Sequence, residues 1–142
     1  MLQETERFQR RGASLSKLIL LVEGDPANAQ CFLHLLTLEA SFRVFWATNG
    51  RAAWHFTQHV KPQLLLLDYS LPDMNGIQLY DRLHARKDLE AVPALIVGAS
   101  LKEGEDALKQ RGLLAVEQPF DQDKFLSAIE TVFASSSGKR GW

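Results

Sequence analysis

The sequence predicts an α/β fold, a doubly wound parallel sheet of five strands in the order 2-1-3-4-5, forming a single domain. Five short apolar runs have the length of strands: "KLILLV" (17–22), "FRVFWA" (42–47), "QLLLLD" (63–68), "ALIVG" (94–98) and "LLAVE" (113–117). Segments with apolar residues three and four apart alternate with them, near 27–40, 50–59, 76–86, 102–110 and 121–134, and read as helices. The runs are apolar throughout rather than alternating. That calls for burial on both faces, hence a parallel sheet covered by helices on each side. Short right-handed crossovers then give the doubly wound order.

Each element has its own local cause. The first strand closes on Glu23, and Asp25 with Pro26 reads as an N-cap and first turn opening the first helix. That helix, "CFLHLLTLEA", carries Phe32 and Leu36 on one face and Cys31, Leu35 and Leu38 on another. The second strand leads into a helix bearing His55 and His59. The third strand ends in Asp68, followed by a Pro and an Asn-Gly turn in "DYSLPDMNG". The fourth strand ends at Gly98, and the helix after it carries Glu103, Glu105, Asp106, Lys109 and Arg111, a solvated charged face. The fifth strand precedes "QPF" and a helix whose apolar stripe is Phe125, Ile129 and Phe133.

A chain of 142 residues, 46% hydrophobic, suffices for one core and is too short for two ordinary domains. Residues 1–16 and 135–142 mix charged and small polar residues and read as tails around a domain at 17–134. Lys and Arg total 16 against 17 Asp and Glu, a formal net charge of −1, so no field would gather nucleic acid or an anionic membrane. The longest apolar runs fall far short of a membrane span. Cys31 is the one cysteine, unable to form an internal disulfide, and no N-terminal run resembles a signal sequence; a cytoplasmic protein is expected. The residues after 134 are too few and too polar for an output domain, so an effect exerted through another protein is expected.

Ligands and chemistry in doubly wound sheets collect at the carboxyl ends of the strands, beside the switch point between the first and third, where Glu23 and Asp68 fall. The segments "LILLVEGDP", "ATNGRAAW", "PQLLLLDYSLPDMNG", "VPALIVGAS" and "VEQPF", in their order and spacing over residues 17 to 134, resemble the receiver domain of bacterial two-component response regulators. The resemblance implies a (βα)5 signalling module, not an enzyme, in a phosphorelay. It implies that Asp68 occupies the position that accepts a phosphoryl group from a histidine kinase. It further implies four helpers, because such transfer depends on positioned charge. Two acidic residues after the first strand hold Mg2+ together with the phosphoacceptor and the main-chain carbonyl two residues beyond it, here Ser70. A Thr or Ser ends the fourth strand, and a Lys precedes the Pro after the fifth.

Against that pattern the acidic pair reads Glu23-Gly24, so one carboxylate is kept and one is absent. Mg2+ held by Glu23, Asp68 and the Ser70 carbonyl is weakened, not forbidden. Asp25 is better read as a helix cap than as a ligand. Gly98 stands at the hydroxyl position and offers no side-chain donor, and the unshifted register at Ala99 leaves Ser100 out. Gln118 stands at the Lys position, keeping a donor but not the charge, and Ala115 replaces the switch aromatic.

Two functions therefore compete: an atypical receiver phosphorylated weakly at Asp68, and a phosphorylation-independent interaction module. Loss of the switch contacts at Gly98 and Ala115 favours the second, since a ligand shifts a conformational equilibrium only through differential contacts. A third reading, a flavodoxin-like cofactor binder or enzyme, lacks support because "EGDPAN" has no glycine-rich phosphate-loop spacing. The apolar breadth of the first helix points to a partner, a histidine kinase or phosphotransfer protein, at the Phe32 region. His55 and His59, four apart without a third ligand, read as surface residues; His34 and His84 have no better claim, and Cys31 reads as a buried or half-buried small hydrophobe.

Overall fold

The structure is a computed structural model that describes residues 16–39 and 41–140. Five strands, β1 (Lys17–Val22), β2 (Phe42–Ala47), β3 (Leu64–Asp68), β4 (Ala94–Gly98) and β5 (Leu114–Glu117), pair in parallel in the order β2-β1-β3-β4-β5. Between and after them come α1 (Pro26–Thr37), α2 (Gly50–Thr57), α3 (Gly76–His84), α4 (Glu105–Gln110, entered through a 3-10 turn at Lys102–Gly104) and α5 (Gln122–Arg140). The expected fold class and strand order are those observed.

The all-apolar strands explain the two layers of helices. Along β1, β3 and β4, alternate residues feed opposite cores: Leu20, Val22, Leu65, Leu67 and Ile96 on the side of α2, α3 and α4, and Ile19, Leu21, Leu64, Leu66, Leu95 and Val97 on the side of α1 and α5. Helix starts are fixed by side-chain caps. Asp25 accepts from the Ala27 amide at 3.1 Å with Pro26 in the first turn. Asn49 accepts from Ala52 at 2.7 Å, and Asn75 and Gln78 form a reciprocal capping box at 2.8 and 3.0 Å.

Four expectations are corrected. Phe32 is fully buried: α1 turns Ala29, Phe32 and Leu36 onto the sheet, and the Phe32 ring packs on Phe120 and Phe125 at centroid distances of 5.8 and 5.4 Å. It is a core residue and has no surface to offer a partner. Cys31, one position earlier on the helix, points outward and is exposed. The single helix expected at 102–110 divides at Gly104, against which the Tyr69 ring packs. Finally, α5 continues to Arg140, past the helix end expected at 134. Residues 1–15, most of the expected N-terminal tail, and 141–142 lie outside the described residues. Among the described residues no helix is long and apolar enough to cross a membrane.

Candidate functional site

Register builds the site. Val22 lies opposite Leu67 in the β1–β3 pairing, so the next residue of each strand, Glu23 and Asp68, emerge side by side at the carboxyl edge of the sheet. Both are buried, with 1% and 9% of their surface exposed. Glu23 is held from three directions: its amide donates to Ala47 at 3.0 Å, its carbonyl accepts from the Trp46 indole at 2.8 Å, and its Oε2 accepts from the Asp25 amide at 3.0 Å. Asp68 Oδ1 accepts from the Ser70 amide at 3.4 Å.

The two buried carboxyl groups lie close enough for each to alter the other's ionisation. Burial, with the adjacent Asp68 adding to it against the Asp25 amide, pushes the Glu23 carboxyl up to about 8. Burial also raises Asp68, against the hydrogen bonds from Glu23 and the amides of Ser70 and Tyr69. Two neighbouring buried carboxyls resist ionising together, so the pair holds on to a proton to higher pH than free carboxylates do unless a cation compensates them.

The neighbouring positions are closed by packing. A Cβ on Gly24 would meet Pro72 Cδ at 2.7 Å and Cγ at 2.9 Å, with the Thr48 carbonyl at 3.3 Å. The loop after Asp68 thus lies where a second carboxylate's stem would pass. A Cβ on Gly98 would meet Leu101 Cδ2 at 2.8 Å and Tyr69 Cβ at 3.1 Å. Gln118 is half-buried beyond the end of β5, its amide donating to the Gly98 carbonyl at 2.7 Å, with a cis peptide bond to Pro119. Ala115 is half-buried against the core on the α3 and α4 side.

Of the ligands expected for Mg2+, the structure brings the Glu23 and Asp68 carboxylates side by side, and Ser70, whose carbonyl is the third, follows Asp68 by two residues. Hard oxygens of this kind suit Mg2+ with water completing the shell, and a divalent ion would compensate two carboxyls that burial makes costly to ionise. Among the described residues no group of three or more His, Cys, Asp or Glu side chains could hold a metal. Asp25 caps α1 instead, near enough to raise both site carboxyls electrostatically. Ser100 is exposed after β4, and His34 and His55 are exposed on their helices; His59, expected on the same helix as His55, is exposed in the turn after α2, which ends at Thr57. His84 Nε2 lies 2.7 Å from the Val92 carbonyl and its ring packs, tilted, 4.0 Å from that of Tyr80, a structural placement.

Two residues that sequence reasoning passed over shape the site. Tyr69 lies beside both Gly98 and Gly104, filling space that two missing side chains leave. Its signal was the pairing of an aromatic after Asp68 with glycines at 98 and 104. Asp73 accepts from the amides of Gly50 at 2.9 Å and Arg51 at 3.0 Å, pinning the loop after β3 to the start of α2. These hydrogen bonds, with Arg82 nearby, outweigh the effect of burial and lower its carboxyl from the usual range. No local sequence signal predicts a contact 22 residues distant.

The fold and this carboxylate edge define a receiver-type signalling domain. The family model described as response regulator receiver domain matches residues 19–130. The chain belongs to that family. It is similar to the polar-differentiation response regulator DivK of Brucella anthropi, 27% identical over 120 residues, covering 82% of this chain and 96% of DivK. It is 26% identical to response regulator Rre1 of Synechocystis over 118 residues, 82% of this chain and only 51% of Rre1. Among solved structures, a response regulator receiver domain protein of Methanospirillum hungatei matches with a TM-score of 0.78 at 21% identity, covering 87% of this chain and 98% of that one. The receiver domain of the sensor histidine kinase PA1611 of Pseudomonas aeruginosa, a structure with magnesium coordinated in its active-site cleft, matches with a TM-score of 0.75 at 21% identity over 84% and 98% of the two chains.

Proposed function

We propose that this receiver domain carries Asp68 at the phosphoacceptor position in a degraded site, so that phosphorylation is weak or absent and the domain acts chiefly as a protein-interaction module, not as an enzyme. The observation that carries the reading is the closure of positions 24 and 98 by Pro72, Leu101 and Tyr69. Two of the four helpers are replaced by glycines, and the space their side chains would use is filled.

The Asp68 carboxylate would attack a phosphorus that carries negative charge, in a site where Glu23 already competes for compensation. Mg2+, held by Glu23, Asp68 and the Ser70 carbonyl, would supply charge neutralisation when bound, as the magnesium in the Pseudomonas aeruginosa cleft suggests for this chain. With Gly24 in place of a carboxylate, one ligand fewer weakens that binding. Gln118 can donate to a phosphoryl oxygen without neutralising it. Gly98 has no hydroxyl to follow the phosphoryl group and Ala115 no ring to follow the hydroxyl, so a signal at Asp68 lacks the contacts that would carry it toward α4, β5 and α5.

Receiver domains interact with histidine kinases or phosphotransfer proteins. Here α1 and the residue that ends it remain a candidate surface, through exposed Cys31 and Leu38 rather than Phe32. Intact mass after incubation with acetyl phosphate and Mg2+, quenched quickly enough to keep an acyl phosphate, tests the reading. Little or no adduct on folded protein is expected. Stoichiometric adduct, abolished by Asp68→Asn, would make the site a competent acceptor.

A further inference from the structure

A groove of about 640 Å3 opens between α2 and α3, on the side of the sheet away from α1 and α5, lined by Arg51, Trp54, His55, Met74, Leu79 and Arg82 among others. Its size is that of a ligand site, which commonly spans about 300–1,000 Å3. Two features give it chemistry. Leu79 is buried while Trp54 and Met74 are half-buried, forming an apolar floor. Arg51 and Arg82 are exposed, and among the described residues neither enters an ion pair.

The rim's one carboxylate is already occupied. Asp73 spends both oxygens on the Gly50 and Arg51 amides, and the Ala52 amide is taken by Asn49. The groove thus offers guanidinium groups but no free amide cradle at the start of α2, an arrangement suited to carboxylates held by side-chain forks rather than to a phosphate on a helix end. Trp54 is pre-positioned: the Arg86 guanidinium lies 5.1 Å from its ring centroid and is itself fixed by Thr57 at 3.0 Å and Asp88 at 2.9 Å.

We propose that this groove docks an acidic, apolar-anchored peptide segment of a partner protein, with carboxylates on Arg51 and Arg82 and an apolar side chain against Trp54 and Met74. Charge selects a partner over the chain's own ends. Residues 1–15 hold two glutamates against three arginines, and residues 136–142 carry Lys139 and Arg140 with no acidic residue, so neither complements the rim. The groove shares the loop after β3 with the Asp68 site through Asp73 and Met74, but neither Glu23 nor Asp68 lines it, and the proposal stands whether or not Asp68 is phosphorylated.

Fluorescence anisotropy with the fluorescein-labelled peptide Asp-Glu-Phe-Asp-Asp-Leu-Glu-Glu tests it on the full chain. Saturable binding with Kd below about 1 mM, weakened at least tenfold in Arg51→Ala/Arg82→Ala, is the expected result. The charge-matched control Arg43→Ala/Lys61→Ala, at exposed positions outside the groove, should bind as wild type. The same peptide with every acid replaced by its amide should not bind. Absence of saturable binding, equal loss in both double variants, or equal binding of the amide peptide overturns the proposal. Displacement of the peptide by low-millimolar inorganic phosphate at constant ionic strength would reassign the groove to small anions and overturn it also.

Discussion

The Pro72 ring stands where a side chain on residue 24 would have to begin: a Cβ at Gly24 would lie 2.7 Å from Pro72 Cδ. The glycine and the loop after Asp68 therefore form one packed unit. Restoring a carboxylate with Gly24→Asp should not by itself create a stronger Mg2+ site. It should destabilise the fold by roughly 1–3 kcal/mol as the loop is displaced. Gly24→Asp with Pro72→Ala relieves the overlap, and calorimetric titration should then show tighter Mg2+ binding than wild type. Tight binding by the single variant would show the loop yields freely.

Gly98 is closed in a softer way, since the nearest atom is the end of a Leu side chain. Gly98→Thr should cost about 1–3 kcal/mol from overpacking against Leu101 and Tyr69. Leu101→Ala alone should also destabilise, but the pair together should be less destabilised than the sum of the two, a coupling that denaturant unfolding of all four proteins would measure.

The raised carboxyls of Glu23 and Asp68 have a signed consequence for stability. A carboxyl whose folded value is raised, Glu23 from 4.5 to about 8, binds its proton more tightly in the folded state. Stability from this pair is present at low pH within that window and falls as pH rises toward 8. Melting temperature should thus drop by several degrees between pH 6 and pH 8.5, and Asp68→Asn should flatten the drop. Millimolar Mg2+ should recover part of it at the higher pH, where the proton it displaces is already leaving.

Asp73 acts with the opposite sign. Its lowered carboxyl contributes stability above the unfolded value of 3.8, lost as pH falls through the lower folded value. Asp73→Ala strands the Gly50 and Arg51 amides and should lose about 1–2 kcal/mol at neutral pH. Faster amide exchange at those two residues would locate the loss at the start of α2.

Phe32 shows where sequence reasoning succeeded and where it stopped. Its spacing with Leu36 made a helix legible, and the unbroken apolar runs of β1, β3 and β4 made the two-sided sheet legible. The helix pattern alone did not say which of two apolar stripes turns inward. That choice is made by Phe120 and Phe125, 88 and 93 residues away, whose rings receive Phe32. Phe32→Ala should consequently cost roughly 3–5 kcal/mol in unfolding experiments, and a near-neutral effect would return Phe32 to the surface. At the site, Asp68 and Glu23 were readable as strand ends, because register follows from the strands. The closure of Gly24 and Gly98 was not readable, because Pro72, Tyr69 and Leu101 reach them only in the folded chain.

The central claim, that chemistry at Asp68 is weak and disconnected from the face of α4, β5 and α5, is tested most directly by amide NMR spectra recorded with and without Mg2+ and beryllofluoride, a mimic of the acyl phosphate. The account predicts no change, or changes confined to residues near Glu23, Asp68 and Ser70. Saturating shifts that spread through 102–117 and into α5 would contradict it, showing a working acceptor coupled to a working switch.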